Sequence, residues 1–197
     1  MAASIKRDYM NPLIKLFKSF GEIDLEIEQE FNQLIKYDLR QKGEFFLKKG
    51  QSVSCLFILE KGLVRSYFIK DDKEINLWFG FENELLGSIL PLYFNKPSFE
   101  NIQFLEESRV YFISMKDLNL LYEKFVDLNI IGRKIAEDYC RFLEVRIISF
   151  QTESPEKRYR SLIKDHPDVL QRVSLGNIAS FLGITQETLS RIRKKRF

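Results

Sequence analysis

The sequence predicts an α+β fold in three successive parts: an antiparallel β-roll preceded by helices, one long helix, and a C-terminal pair of short helices. Three observations lead to this prediction. Short β-rich runs separated by glycines fill residues 37–114, a helical pattern without proline runs over 127–152, and two short amphipathic patterns meet at Gly183. The helical segments carry apolar side chains at helical spacing, and the strand runs are indicated by their β-rich composition and by the glycines between them.

The roll is predicted to begin after an N-terminal helical region. Residues 5–36 carry apolar side chains at helical spacing, with a break at Gly21. The strand runs that follow read, in chain order, FFLKKG, LFILEKG, LVRSYFI, INLWFGF and VYFIS. Asp71-Asp72-Lys73 is predicted to form a hairpin turn and Glu60-Lys61-Gly62 a tight turn. Runs of this kind are typical of a small antiparallel barrel or roll.

The chain after the roll is predicted to be helical. Ser114 is a candidate N-cap, and Asp117 completes an acidic variant of the capping box. The helix over 127–152 has an apolar stripe that is wider than packing on one face of the roll needs, which favours a dimer interface. The alternative is that this helix packs on its own roll, and both arrangements can hold at once.

The C-terminal segment has the pattern of a helix-turn-helix. Ser154-Pro155 marks a domain boundary, and a helix is predicted over 156–166. Ser174 and Thr185 are candidate N-caps of the last two helices, and Gly183 suits the corner between them. The residues predicted to face inward are Ile178, Ala179, Leu182, Leu189 and Ile192. We prefer a helix-turn-helix over an ordinary helical hairpin at a domain end.

Charge is distributed unevenly along the chain. Residues 154–197 carry ten basic and four acidic side chains, a net charge of +6, whereas residues 1–153 carry a net charge of −3. A mildly acidic body with a basic C-terminal segment indicates a regulatory domain joined to one that binds a polyanion.

Several classes of site are excluded by composition. Cys55 and Cys140 lie in apolar neighbourhoods and are predicted to be buried free thiols, too few for a four-cysteine zinc or iron–sulfur site. His166 is the only histidine and is expected at a helix end, so no metal site is predicted. No nucleophile–base pair or glycine-rich phosphate loop is present, and an enzyme is not expected. No apolar run reaches the length of a membrane span and no signal peptide is found, so we expect a cytoplasmic protein.

The order of parts resembles the catabolite-activator/fumarate-nitrate-regulator (CRP/FNR) family of bacterial transcription factors, in particular the short regulators of Bacteroidetes. The segments that carry the resemblance are ENELLGSI, PSFENIQFLEES and IASFLGITQETLSRIRKK. The resemblance implies a cyclic-nucleotide-binding-like domain at 1–126, built as a double-stranded β-helix of the jelly-roll type. It also implies a connecting and dimerisation helix at 127–153 and a DNA-binding domain at 154–197.

The resemblance implies a homodimer that binds double-stranded DNA at a palindromic operator. The positions that touch base edges are occupied by Gln186, Glu187 and Arg191, side chains whose donors and acceptors match adenine, cytosine and guanine. Glu187 and Arg191 are also spaced to form a salt bridge along one helix, and both roles can hold. The candidate contacts to the DNA backbone are Ser174, Thr185, Thr188, Ser190, Arg193, Lys194 and Lys195.

The ligand site of the family is degenerate in this chain. Cyclic-nucleotide-binding members carry Gly-Glu and, eleven residues after that glycine, Arg-Ser or Arg-Thr, whereas here Gly87 is followed by Ser88 and the later pair is Ser98-Phe99. Without the arginine that neutralises the phosphate, we expect no tight binding of cyclic AMP or cyclic GMP, unless Arg109 or Lys96 substitutes. No cofactor is predicted. The roll either binds an unknown small-molecule effector, in a pocket for which Phe79, Phe81, Phe99 and Phe104 are candidates, or is an empty scaffold with these phenylalanines in its core.

The leading functional prediction is therefore a dimeric transcription regulator, with RNA polymerase as a candidate further partner. The alternative is an effector-sensing or interaction module whose helix-turn-helix has lost specific DNA binding. A specific DNA reader binds with a steep salt dependence and a preference for a palindromic site, and the alternative predicts neither.

Overall fold

The computed structural model describes residues 10–194. Its helices are α1 (Pro12–Lys18), α2 (Leu25–Leu34), α3 (Ile89–Phe94), α4 (Met115–Lys124), α5 (Val126–Thr152), α6 (Pro155–Asp165), α7 (Val169–Arg172), α8 (Leu175–Phe181) and α9 (Gln186–Lys194). Its strands are β1 (Lys36–Arg40), β2 (Phe45–Leu47), β3 (Cys55–Lys61), β4 (Val64–Lys70), β5 (Lys73–Gly80), β6 (Leu85–Leu86), β7 (Asn101–Phe104) and β8 (Ser108–Ser114).

The strands form two four-stranded sheets with the orders β1-β8-β3-β6 and β2-β7-β4-β5. Each neighbouring pair is antiparallel, and successive strands mostly lie in opposite sheets. This is the arrangement of a jelly roll, in which two facing sheets enclose one core. The predicted α+β class and the antiparallel roll are confirmed.

Two turns explain how the sheets connect. Asp71 and Asp72 have φ of 50° and 57°, the left-handed pair that a two-residue hairpin turn requires, and they join β4 to β5 as predicted. Gly62, with φ of 119°, ends the predicted tight turn, but this turn leads from one sheet into the other. A Cβ on Gly62 would lie 2.8 Å from Cα of Ser108, so both the backbone angle and the close approach require glycine.

The N-terminal helical region is two short helices with a six-residue connection at 19–24. Asn11 caps α1 with Pro12 at its first position, and Asp24 caps α2. Both helices pack with α4 and the start of α5, and Phe17 meets Phe31 edge to face at 4.9 Å. The beginning of the predicted region, residues 5–9, lies outside the described residues.

Helix α5 is buried only near its N-terminus, where Leu128 and Ile131 join the core beneath α1 and α4. Further along, α5 exposes large apolar side chains, namely Tyr139, Phe142, Leu143, Val145, Ile147, Ile148 and Phe150. Cys140 lies on this exposed stretch, so its predicted burial is wrong, while Cys55 is half-buried. No helix within residues 10–194 is long and apolar enough to cross a membrane.

An apolar cluster separate from the core of the roll joins the roll to the C-terminal helices. Leu63, Phe79 and Phe81 of the roll pack against side chains of α6 to α9. Phe104 lies instead in the roll core, and Phe99 is 49% exposed. The four phenylalanines therefore do not line one common pocket, because the C-terminal helices cover two of them.

Candidate nucleic-acid interface

Helices α8 and α9 form a compact helix-turn-helix. The Ser174 hydroxyl accepts a hydrogen bond from the backbone N–H of Asn177 (3.3 Å), which caps α8 as predicted. At the other end of α8, Gly183 has φ of 69° and its N–H donates to the carbonyl of Ser180, while Ile184 N–H donates to that of Ala179. This pair of bonds is a Schellman motif, which satisfies carbonyls at the helix end and turns the chain sharply.

The second helix begins at a threonine cap. The hydroxyl of Thr185 accepts from the N–H of Thr188 at 3.2 Å and lies 3.2 Å from the Thr188 hydroxyl. All five residues predicted to face inward are buried, namely Ile178, Ala179, Leu182, Leu189 and Ile192. Because the apolar face of α9 is buried, the opposite face is turned toward solvent.

The three candidate base-reading side chains are exposed on α9. Gln186 leans toward the start of α8, since a Cβ on Gly176 would lie 2.7 Å from its Nε2. Hydrogen bonds from its own backbone N–H and from Thr185, together with the charge of Arg191, hold the pKa of Glu187 below its ordinary value. Glu187 therefore stays charged as a hydrogen-bond acceptor. Its pairing with Arg191 is electrostatic, because the two form no salt bridge within 4.0 Å.

The candidate backbone contacts surround this face. Ser174 and Thr185 are exposed and act as helix caps, and Thr188 is half-buried. Ser190, Arg193 and Lys194 are exposed. Lys195 lies outside the described residues. Exposed N-termini of helices and basic side chains on one side of the domain provide hydrogen-bond donors and charge that suit phosphate oxygens.

Helix α8 is also held by polar contacts to the roll that sequence reasoning missed. Arg65 of β4 donates to the side-chain carbonyl of Asn177 at 3.0 Å. The Ser180 hydroxyl accepts from the backbone N–H of Asn76 and donates to the carbonyl of Glu74, both at 2.9 Å. The face of α8 that looks away from α9 is thus attached to the edge strand β5.

The predicted degenerate ligand site is a buried polar cluster. Ser88 and Ser98 are each 3% exposed, and their hydroxyl oxygens lie 3.3 Å apart. Ser88 also donates to the carboxylate of Glu100 at 2.7 Å, and Ser66 of β4 donates to its other oxygen. Glu100 is 5% exposed and was not foreseen from the sequence.

The proposed basic substitutes do not reach this cluster. Arg109 lies on β8 and pairs with Glu60 at 3.6 Å, and Lys96 is exposed. Gly87 packs tightly, since a Cβ there would lie 2.5 Å from Leu92 Cδ1. Phe99 follows Ser98 in the chain but, unlike Ser98, is exposed. The structure therefore brings Ser88 and Ser98 of the predicted ligand site together, whereas Phe99 lies apart from them.

Comparisons with known proteins agree with this architecture. A family model of the cyclic nucleotide-binding domain matches residues 40–125. The Anaerobic regulatory protein of Haemophilus influenzae is 27% identical over 182 residues, covering 84% of this chain and 70% of that protein. These similarities agree with the predicted resemblance to the CRP/FNR family. The fold of the chain is similar to that of FixK2 from Bradyrhizobium japonicum (TM-score 0.70, 15% identity, 82% of this chain and 83% of that one).

A further similar structure is a protein from Eubacterium rectale described as a transcriptional regulator of the CRP/FNR family. It has a TM-score of 0.66 at 15% identity, covering 86% of this chain and 82% of that one. The family-model match spans the end of β1 to the end of α4 and stops before α5. The candidate DNA contacts therefore lie outside the matched residues, and their assignment depends on the geometry of α8 and α9.

Proposed function

We propose that this chain is a transcription regulator of the CRP/FNR family that binds a palindromic DNA operator as a homodimer and is not controlled by cyclic AMP. The observation that carries the proposal is α9: its apolar face is buried, while Gln186, Glu187 and Arg191 are exposed beside Arg193 and Lys194. A helix of this kind fits the major groove, where such side chains reach base edges while basic groups meet phosphates. The proposed function is therefore DNA binding, and the protein would act in the cytoplasm, where the chromosome lies.

The exposed part of α5 supports a homodimer. Its apolar or small residues recur at alternating intervals of four and three, at Ala136, Cys140, Leu143, Ile147 and Phe150. This is the heptad spacing of a two-stranded coiled coil, whose seam is buried by a second helix. A second copy of α5 would cover the seam and bring two recognition helices to one operator.

The buried cluster in the roll supports independence from cyclic nucleotides. Within residues 10–194, Glu100 forms no salt bridge with a lysine or arginine. An anionic nucleotide at Ser88 and Ser98 would therefore meet a buried carboxylate in place of a guanidinium, and burial makes unpaired like charges costly. Calorimetric titration with cyclic AMP and cyclic GMP is expected to find no dissociation constant below about 10 μM; tighter binding would contradict this part of the proposal.

The DNA-binding part is tested by selecting bound sequences from a random duplex library. We expect enrichment of a palindrome, with affinity for it falling steeply as salt is raised. Random duplex of the same length serves as control, and its affinity should be about 10³-fold or more weaker. Weak binding without sequence preference would favour the other candidate, an interaction module without specific DNA binding. RNA polymerase and a small effector of the roll remain further proposed partners.

A further inference from the structure

Arg172, at the end of α7, lies among carboxylates of the roll. Its guanidinium donates to Glu82 at 2.7 and 3.0 Å and to Glu106 at 2.5 Å, and its Nη2 also donates to the carbonyl of Gly62 at 3.1 Å. Asp168, from its own domain, pairs with it at 3.0 Å. We call Arg172 with Glu82, Glu106 and Gly62 the Arg172 clasp. It connects three loops of the roll to one side chain of the C-terminal domain.

The clasp is partly shielded from water and is geometrically tight. The Arg172 side chain is 17% exposed. Glu82 is held from two sides, because Gly62 N–H also donates to its Oε1 at 2.9 Å. Charge-assisted hydrogen bonds to several oxygens fix the plane of a guanidinium, which gives direction as well as attraction. The clasp therefore restrains the orientation of the C-terminal domain on the roll. An apolar contact alone would restrain this orientation only weakly.

The α8 contacts add a second point of attachment. Arg65 reaches Asn177, Ser180 pairs with the backbone of β5, and Phe79 meets Phe181 with ring centroids 5.1 Å apart. Two separated attachments prevent rotation about either one. Between α5 and α6, by contrast, only Glu153 and Ser154 are not helical. Without the clasp the α8 contacts and the shared apolar cluster would be left to hold the C-terminal domain, which could then rotate about them at this short joint.

The attachment leaves the recognition face of α9 open. The hydrogen bonds of the clasp and of α8 come from α7 and α8, while Gln186, Glu187 and Arg191 are exposed on α9. The C-terminal domain can therefore contact DNA while it is attached to the roll. The attachment determines the direction in which each α9 points. In a dimer the two recognition helices must enter major grooves about 34 Å apart, one helical turn of DNA.

We propose that Arg172 is a positioning residue that sets the spacing of the two half-sites by fixing the C-terminal domain on the roll. This inference rests on the proposed function, since spacing has meaning only for a dimer on DNA. Arg172 touches no DNA in this proposal. It acts through the roll and α5, which carry the geometry from one α9 to the other.

The test compares Arg172→Gln with the unchanged protein on three kinds of duplex: the full operator, a single half-site, and operators with half-sites one base pair closer or farther apart. For Arg172→Gln we expect an affinity about tenfold or more lower on the full operator and changed less than twofold on the half-site. Discrimination among spacings should also fall. Lys164→Gln, an exposed lysine of the same domain, makes the same change of charge and should leave all three affinities unchanged.

An equal loss on half-site and full operator would overturn the proposal, because it would mean that Arg172 contacts DNA or that the domain has unfolded. Glu82→Gln provides a second route to the same state without altering the C-terminal domain, and it should reproduce the loss of spacing preference. Hydrogen exchange in the absence of DNA provides an independent measurement: amides of α7 and α8 should exchange faster in both variants. If the unchanged protein fails to bind a palindrome, the proposed function fails, while unchanged exchange would refute the clasp itself.

Discussion

Arg191 is the side chain whose removal best separates reading of sequence from general attraction to DNA. It is exposed on α9 and carries two parallel N–H groups that fit guanine O6 and N7. Arg191→Ala is expected to cost about 1–3 kcal/mol of operator binding and to relax specificity at one base pair in each half-site. Fluorescence anisotropy with the operator and its single-base variants measures both effects.

Lys194 provides the matched comparison on the same helix. It is exposed at the C-terminal end of α9 and is expected to meet phosphate. Lys194→Ala should weaken binding to all sequences about equally and lower the slope of log affinity against log salt by about 1. If Arg191→Ala produced this uniform pattern too, base reading by Arg191 would be refuted and a contact to phosphate would remain.

At the residue scale, the sequence predicted local features better than long-range ones. The caps Ser114 and Ser174 and the corner Gly183 were identified because each depends on neighbours within about four positions. Arg172 was not, since its partners in the roll lie 66 to 110 residues earlier in the chain. No local pattern distinguishes such an arginine from a solvated one.

At the element scale, the α5 seam makes a specific prediction about assembly. Ile147 lies on the seam and is 58% exposed in the protomer. Ile147→Glu would place like charges opposite each other in a parallel pair of helices, and we expect a monomer that binds a half-site but has lost the added affinity of the full operator. Light scattering after gel filtration measures the mass.

Val145 is the control for this prediction because it is similarly exposed, at 55%, but lies about half a turn away from the seam. Val145→Glu should remain a dimer with unchanged operator affinity. A monomer from both variants would indicate general damage to α5, and a dimer from both would place the interface elsewhere.

The elements that were predicted and those that were missed differ in composition. Strands β3, β4, β5 and β8 contain long β-branched and aromatic runs and were found. Strand β1 (KYDLR) is polar and mostly exposed at the edge of its sheet, and β6 has two residues, so neither has a usable pattern. Helix α3 was missed because its six residues form one apolar run without helical periodicity.

At the scale of the whole molecule, the roll and the helix-turn-helix share a core across the predicted boundary at residue 154. Leu63, Phe79 and Phe81 are buried against the C-terminal helices. The division into 1–126, 127–153 and 154–197 therefore stays a prediction. The sequence predicted the order of these parts but not their attachment, because the attaching surfaces become adjacent only after the roll has folded.

The attachment makes the stability of the molecule depend on pH through Glu82. Burial alone would raise the pKa of this carboxyl, but hydrogen bonds from Arg172 and Gly62 outweigh burial and lower it below 4.5. The native state then binds this proton less readily than the unfolded state does. Its stabilisation is present above pH 4.5 and is lost as the pH falls through the lowered value. Urea titrations between pH 3 and 7 should show a flatter profile for Glu82→Gln.

Glu84, two residues away, provides a control with the opposite sign. Burial raises its pKa, although hydrogen bonding to Phe81 and the nearby His166 oppose the shift. The native state holds this proton more readily, so the contribution of Glu84 is most favourable at low pH and declines as the pH rises through the raised value. Glu84→Gln should remove that decline and make stability rise more steeply with pH. If both substitutions flattened the profile alike, the pH dependence would arise elsewhere, and the hydrogen bonds of Glu82 with Arg172 and Gly62 would not explain it.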